Sequence, residues 1–287
     1  MVKIFFKRLF KRLYLLIPFK KQIFIIFKPF NLPHSITKHL YFKSNFRVKI
    51  DKNHSFKMRH YGYQLENELF WYGKYGWEPN SINLWIKLCK NSNVILDIGA
   101  NTGIYPLIAQ SINNAAMIYS FEPVERVYEK LIYNIKLNSY NINAFNIAIS
   151  DKTEFLRIYD TKTEHEYVAT LLNNSSNSLN SYLVKAISLD DFIEQNHIHK
   201  IDLIKIDVEA YEDKVLDGYK KYFKTHKPII LLEILYDKIG ENVQNFIEMS
   251  LIKYDYYFID EEKGLLKVEN ITRRSDKYFN YLLIPVR

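Results

Sequence analysis

A single cysteine, Cys89, stands in 287 residues, so no internal disulfide can form, and this usage suits a reducing compartment. No alanine precedes Ala100, which removes the small-residue cleavage site of a secretory signal. No N-terminal apolar run reaches the ~20 residues of a spanning helix. Lys3, Lys7, Arg8, Lys11, Arg12, Lys20, Lys21 and Lys28 interrupt every one. The one Cys and eight His show neither C-x-x-C nor H-E-x-x-H spacing, so no metal site is expected. Acid is nearly missing from residues 1–60, where fifteen Lys and Arg face Asp51 alone. Of the formal +8, this arm carries +14, so residues 61–287 carry −6.

What is present divides accordingly. With 48% apolar and 25% charged residues the chain can bury a sizeable core, which excludes a disordered or collagen-like protein. Residues 1–60 read as a basic N-terminal extension and residues 61–287 as one domain. Lys3, Lys7 and Lys11 recur every four residues, opposite Phe6, Leu9, Phe10, Leu13 and Ile17, until Pro18 stops the helix. A basic amphipathic helix of this kind suits an anionic membrane surface through residues 1–28, or packing on the protein's own body. The expectation is a cytoplasmic protein, peripheral on the inner face of a membrane. The acidic body is a poor surface for nucleic acid.

From residue 60 onward short apolar strands alternate with amphipathic helices: Val94–Ile98, Ile104–Ile112, Met117–Phe121, then a helix over 124–138 and a third strand over 144–148. Further on come a strand over 202–207, a helix over 212–223, a strand over 228–234, a helix over 241–249 and two closing strands. The rhythm predicts an α/β fold with a mostly parallel sheet and helices on both faces. Ligands of such sheets bind beyond the carboxyl ends of the strands.

The first strand runs into Asp97-Ile98-Gly99-Ala100-Asn101-Thr102-Gly103, a D-x-G-x-x-x-G turn that can bring its backbone and amides against a ligand. Nineteen residues past Gly103, Glu122 ends the second strand, where an acid can accept both hydroxyls of a ribose. Asn101 stands where the pyrophosphate-binding fingerprint needs its second glycine. A cofactor without phosphate and with a positive amino group fits better. S-adenosylmethionine is such a molecule, its amino group near Asp97, its carboxylate on the turn amides, its ribose on Glu122 and its adenine near Ala148.

The succession VILDIGANTG, YSFEP, FNIAISD, SLDDF, IDLIKIDVEAYEDKVLDG and IILLEI resembles the FkbM family of S-adenosylmethionine-dependent methyltransferases over roughly residues 75–235. The resemblance implies the Rossmann-like class I methyltransferase fold with a seven-stranded sheet. It also implies O-methylation of a hydroxyl on a glycan, glycolipid or related small molecule. Trp77-Glu78-Pro79 resembles the family's stretch ahead of the first strand, which implies a place for Glu78 near the methionine part of the cofactor. The family usually reads D-V-E-G-x-E after the fourth strand; here the residues are Asp207-Val208-Glu209-Ala210-Tyr211-Glu212. Either Ala210 is strained at positive φ, or the loop enters its helix directly.

Lys205 and Asp207 share one face of the fourth strand. A buried Lys205 needs an acid, which Asp207 or Glu233 can supply. Asp207 or Glu209, just past the strand, is the expected acceptor of the substrate proton, with Lys205 completing the catalytic set. His165 lies where a lid residue would be. Glu212 and Asp213, with Asp207 and Glu209, form an acidic run that a hard cation would also suit. The rival readings are an RNA 2′-O-methyltransferase and a non-catalytic membrane-associated module; intact Asp97, Gly99, Gly103 and Glu122 argue against the latter.

Overall fold

A computed structural model describes residues 14, 17–160, 169–170 and 180–286. Most of the amphipathic helix expected before Pro18, His165 and most of the polar run near 173–181 lie outside these residues. The described chain begins with α1 (Lys20–Phe27) and a short α2 (His34–Thr37), followed by a hairpin of β1 (Asn45–Lys49) and β2 (Ser55–Arg59). Helices α3 (Gln64–Tyr72) and α4 (Pro79–Cys89) lead into β3 (Val94–Ile98), α5 (Ile104–Ile112), β4 (Met117–Phe121), α6 (Glu125–Asn138) and β5 (Ile142–Phe145). Strands β6 (Ala148–Ser150), β7 (Glu154–Asp160), β8 (Ala169–Thr170) and β9 (Asn180–Ser188) make a separate four-stranded sheet. The chain continues through α7 (Leu189–Gln195), β10 (Leu203–Ile206), α8 (Glu212–Asp217), α9 (Lys220–His226), β11 (Ile229–Glu233) and α10 (Asp237–Met249). It closes with β12 (Tyr254–Asp260), β13 (Gly264–Val268) and β14 (Asn280–Pro285).

The main sheet has eight strands, in the order β13-β12-β14-β11-β10-β3-β4-β5, rather than seven. The five from β11 to β5 are parallel, whereas β14 runs antiparallel to both its neighbours. The added strand is β13, a hairpin partner of β12. Its side chains are mostly exposed, with Leu265 and Leu266 each 40% exposed, so it carries no inward apolar period to betray it. The turn before it has a structural task. Glu261 accepts the N–H groups of Asn80 and Ser81 and the Ser81 hydroxyl, capping α4 and fixing the chain beside Glu78.

Two other expectations are corrected. The third strand ends at Phe145, and Ala148 opens the second sheet, because the Asn146 amide turns back to donate to the carbonyls of Glu122 and Pro123. The helix expected over 212–223 divides at Gly218, which lies so close to β6 that a Cβ there would stand 2.0 Å from the Ser150 carbonyl oxygen.

Side chains on β3 and β10 alternate between two cores, as a strand period of two requires. Ile95 and Leu203 face one hydrophobic cluster, Leu96, Ile98, Ile204 and Ile206 the other. The β1–β2 hairpin joins the first cluster through Phe46, Val48, Phe56 and Met58, and so do Phe24 and Phe42. The described part of residues 1–60 is therefore packed on the same core as β3. Among the described residues no helix is long and apolar enough to cross a membrane. Strand order reverses between β3 and β10, since the chain leaves β3 toward β4 and returns on the other side. At that switch point the site lies.

Candidate active site

A cavity of about 340 Å³ opens beyond the carboxyl ends of β3, β4, β10 and β11. Glu78, Gly99, Asn101, Glu122, Ala148, Lys205, Asp207 and Glu209 all line it. Asp97 and Gly103 are not among its lining residues. Asp97 is fully buried, and Gly103 caps α5 at φ 99°, where a Cβ would press on Leu131.

The turn differs from a ligand cradle in one respect. The N–H groups of Gly99 and Ala100 both donate to the Phe121 carbonyl, at 3.0 and 2.9 Å. The Asn101 N–H donates to Glu122 at 3.0 Å, that of Thr102 to Asn101 Oδ1, and that of Gly103 to the Ala100 carbonyl. Every turn amide thus has a protein acceptor, which corrects the expectation that they meet a carboxylate. Gly99 is required by its neighbour: at φ 82° an added Cβ would lie 1.8 Å from the Asp207 carbonyl oxygen. What the turn fixes instead is Glu122. Its Oε2 accepts from Asn101 and its Oε1 from Val124 at 2.9 Å, and burial pushes its pKa up to about 7.

The opposite wall is acidic. Glu78, held in the left-handed region at φ 37° ahead of α4, accepts a 2.8 Å hydrogen bond from the Tyr105 hydroxyl. Burial, and next the Asp207 charge, raise Glu78 to about 7. Lys205 lies with its Nζ 2.8 Å from Asp207, 3.9 Å from Asp97 and 4.5 Å from the centre of the Tyr105 ring. Burial alone would lower its pKa, but the two carboxylates raise it above its ordinary value. Asp97, the cross-strand partner of Lys205, has no hydrogen bond to either oxygen, and burial pushes it up to about 6.

Asp207, Glu209 and Glu233 bring carboxylate oxygens within 4.8 Å of one another. Burial, then the Asp207 charge, lifts Glu209 to about 7, and the same causes with Glu209 added raise Glu233. Glu233 completes this cluster rather than Glu212 or Asp213. Glu212 is fully buried, its Oε1 accepting the Val208 and Ala210 N–H groups. The site also recruits Tyr105 and Trp77, which no motif singled out as working residues. Tyr105 was legible only as one more apolar position in the first turn of α5.

Ala210 resolves the alternative posed by the missing glycine: it is buried at φ 72°, directly after Glu209 at φ 57°. The left-handed conformation costs Ala roughly 1–2 kcal/mol. Glycine would forfeit a buried methyl worth ~0.8 kcal/mol and add about 0.4–1 kcal/mol of unfolded-state entropy. These offset, so Ala210→Gly should shift the unfolding free energy by less than ~1 kcal/mol. A denaturant-measured shift of ~2 kcal/mol would contradict that balance.

The family model described as "Methyltransferase FkbM domain" matches residues 97–259, more than half of the chain. Hexuronic acid methyltransferase AglP of Haloferax volcanii is 24% identical over 141 residues, 49% of this chain and 56% of that protein. AMB antimetabolite synthetase AmbE of Pseudomonas aeruginosa is 25% identical over 159 residues, 44% of this chain and 8% of that protein. The chain therefore spans about half or less of these curated relatives. A solved methyltransferase FkbM from Methylobacillus flagellatus superposes with a TM-score of 0.45 at 14% identity, covering 67% of this chain and 43% of that one. The matched segment carries the switch-point turn, Glu122 and the Lys205–Glu212 stretch, and the chain belongs to the FkbM methyltransferase family.

Proposed function

We propose that this chain binds S-adenosylmethionine in the switch-point cavity and transfers its methyl group to a hydroxyl of a glycan, glycolipid or related small molecule. The observation that carries the reading is Glu122. A carboxylate offers about four acceptor positions, and the two backbone N–H groups occupy one on each oxygen, leaving acceptor capacity for both hydroxyls of a ribose diol. The amides of residues 99–103 all have protein acceptors, so this stretch is not a pyrophosphate cradle, in keeping with a cofactor lacking phosphate. The carboxylates of Glu78, Asp207, Glu209 and Glu233, against Lys205 as the one lining cation among the described residues, suit a ligand carrying positive charge. When bound, S-adenosylmethionine supplies an electrophilic methyl on a cationic sulfur. AglP, named for hexuronic acid, supports a sugar acceptor.

Positioning contributes most, about 7–11 kcal/mol for well-aligned reactants. A general base adds typically 10²–10⁴-fold and works best with a pKa near the operating pH. Glu209 meets that condition, being lifted to about 7 at the cavity wall. Asp207 accepts a 2.8 Å hydrogen bond from Lys205, which orients it and occupies one of its oxygens. Glu209 thus takes the acceptor's proton, and Asp207 with Lys205 holds the wall. Because the base must be ionised, turnover should rise with pH through about 7. Glu209→Gln should lower kcat by ~10²-fold or more and flatten that rise, with donor affinity retained. Transfer of a labelled methyl group to a membrane glycolipid extract provides the assay; an unchanged kcat in the variant would remove Glu209 from this role.

A further inference from the structure

Helix α1 is held to the body by one buried side chain. Phe24 packs against Phe42 and Trp71, with ring centroids 6.3 and 5.7 Å apart. Around it the apolar side chains point outward: Phe19 is 75% exposed, Ile26 67% and Phe30 70%, and Ile23, Ile25 and Phe27 are exposed as well. At 3.6 residues per turn Ile26 lies opposite Phe24, whereas Lys20, Lys21 and Lys28 flank Phe24 on the body side. Lys28 accordingly lies over the Phe70 ring at 4.8 Å and Lys20 over the Tyr14 ring at 4.2 Å. An apolar ridge with lysines set one layer back is the profile of a helix lying in a bilayer interface, ridge among the acyl chains and cations at headgroup level.

The charge points to the same occupant. No Asp or Glu precedes Asp51, while Lys3, Lys7, Arg8, Lys11 and Arg12 add to the three lysines of this segment. Each cation near an anionic surface contributes about 1 kcal/mol. The location is also apt for an acceptor that lives in a membrane. Leu65, in the first turn of α3, lines the cavity, and Trp71, six residues on along the same helix and about 9 Å away, carries Phe24.

We infer that the exposed face of α1 and the turn after it docks on an anionic lipid bilayer, with Phe19, Ile26 and Phe30 inserted among the lipids. The docking stands independently of methyl transfer; only its service to a lipid-linked acceptor rests on that reading. The test is sedimentation of the full chain with phosphatidylcholine vesicles, alone or with roughly a third phosphatidylglycerol. The protein should bind the anionic vesicles, bind neutral ones far more weakly, and lose binding as salt rises. Combined Phe19→Ser, Ile26→Ser and Phe30→Ser should reduce partitioning by about tenfold or more, while Phe24 keeps the helix in place and the thermal melt unchanged. Equal binding by wild type and variant would overturn the inference. So would a wild-type dimer that the variant dissociates without any vesicle binding, which would assign the face to a second copy. Binding to a polyuridylate RNA but to no vesicle would assign the charge to nucleic acid instead. Calorimetry with S-adenosylmethionine on the same preparations separates failure of docking from failure of the methyltransferase reading.

Discussion

Replacing Glu122 by Gln should weaken S-adenosylmethionine binding by about 10²–10⁴-fold, measured by calorimetry, with cooperative unfolding retained. Hydrogen bonds to a charged partner contribute about 1.5–3 kcal/mol each. Two ribose hydroxyls on one carboxylate therefore account for ~3–6 kcal/mol, at 1.4 kcal/mol per tenfold. Glutamine fills the same space but has one carbonyl oxygen where the fold needs two acceptors. Asn101 and Val124 donate to different oxygens of Glu122, so one of their N–H groups would face an amide donor. That mismatch costs about 1–3 kcal/mol of stability, enough to lower the melting temperature without unfolding the domain. The pH dependence offers a second readout. Burial raises Glu122 to about 7, so at neutral pH the empty site is partly protonated, and binding must drive the proton off. Wild-type affinity should rise from about pH 6 to 8, and the variant should lose part of that slope. It keeps the remainder because Glu78, also raised to about 7, faces the same cavity. A variant that binds within twofold of wild type would remove Glu122 from the cofactor site.

The parallel half of the fold was legible because its signals are local. Strands β3 and β4 have the predicted bounds, and α5 starts and stops where its period does, since buried parallel strands read as unbroken apolar runs. Elements set by distant partners were not. β13 is exposed, the β1–β2 hairpin falls within the stretch read only as a basic extension, and the Gly218 break depends on a carbonyl of Ser150 far away in sequence. The site follows the same division. Gly99, Asn101 and Glu122 reach the cavity because they follow the carboxyl ends of β3 and β4, whose position the topology dictates, whereas Ala148 lines it from the start of β6 in the second sheet. Spacing could not say which amides the turn uses internally, nor that Gly99 yields to the Asp207 carbonyl rather than to a ligand. Tyr105 enters through helix phase, which only three-dimensional packing reveals, and Glu233, expected only as an alternative partner for Lys205, joins Asp207 and Glu209 instead.

Lys205→Met should cost about 3–5 kcal/mol at pH 8, the usual effect of removing one member of a buried ion pair. Met fills much of the aliphatic stem's volume, so the loss isolates charge from packing. Asp97 bears most of it. Its carboxylate is fully buried without a hydrogen bond, and the Lys205 ammonium 3.9 Å away is the cation that keeps its pKa from climbing further. Asp207 suffers less, because its side chain is 37% exposed and water replaces the lost partner. The sign of the pH effect follows. An aspartate whose folded pKa lies above its unfolded one is at its most favourable when protonated, and its contribution falls as pH rises past the unfolded value. In wild type that window runs from about 4 to about 6. Without Lys205 the folded pKa rises further, so the loss relative to wild type should be small near pH 5. It should then grow by up to ~1.4 kcal/mol per pH unit until Asp97 ionises in the folded variant. Glu78 and Glu209, both near 7 and facing the same lysine, steepen the dependence in the same direction. Urea unfolding at pH 5 and pH 8 measures it directly. An equal loss at both values would mean that Lys205 stabilises the strand by packing its stem, with Asp97 already neutral throughout. Asp97→Asn in the Lys205→Met background discriminates further: removing the stranded charge should restore much of the stability lost at pH 8 while leaving pH 5 nearly unchanged.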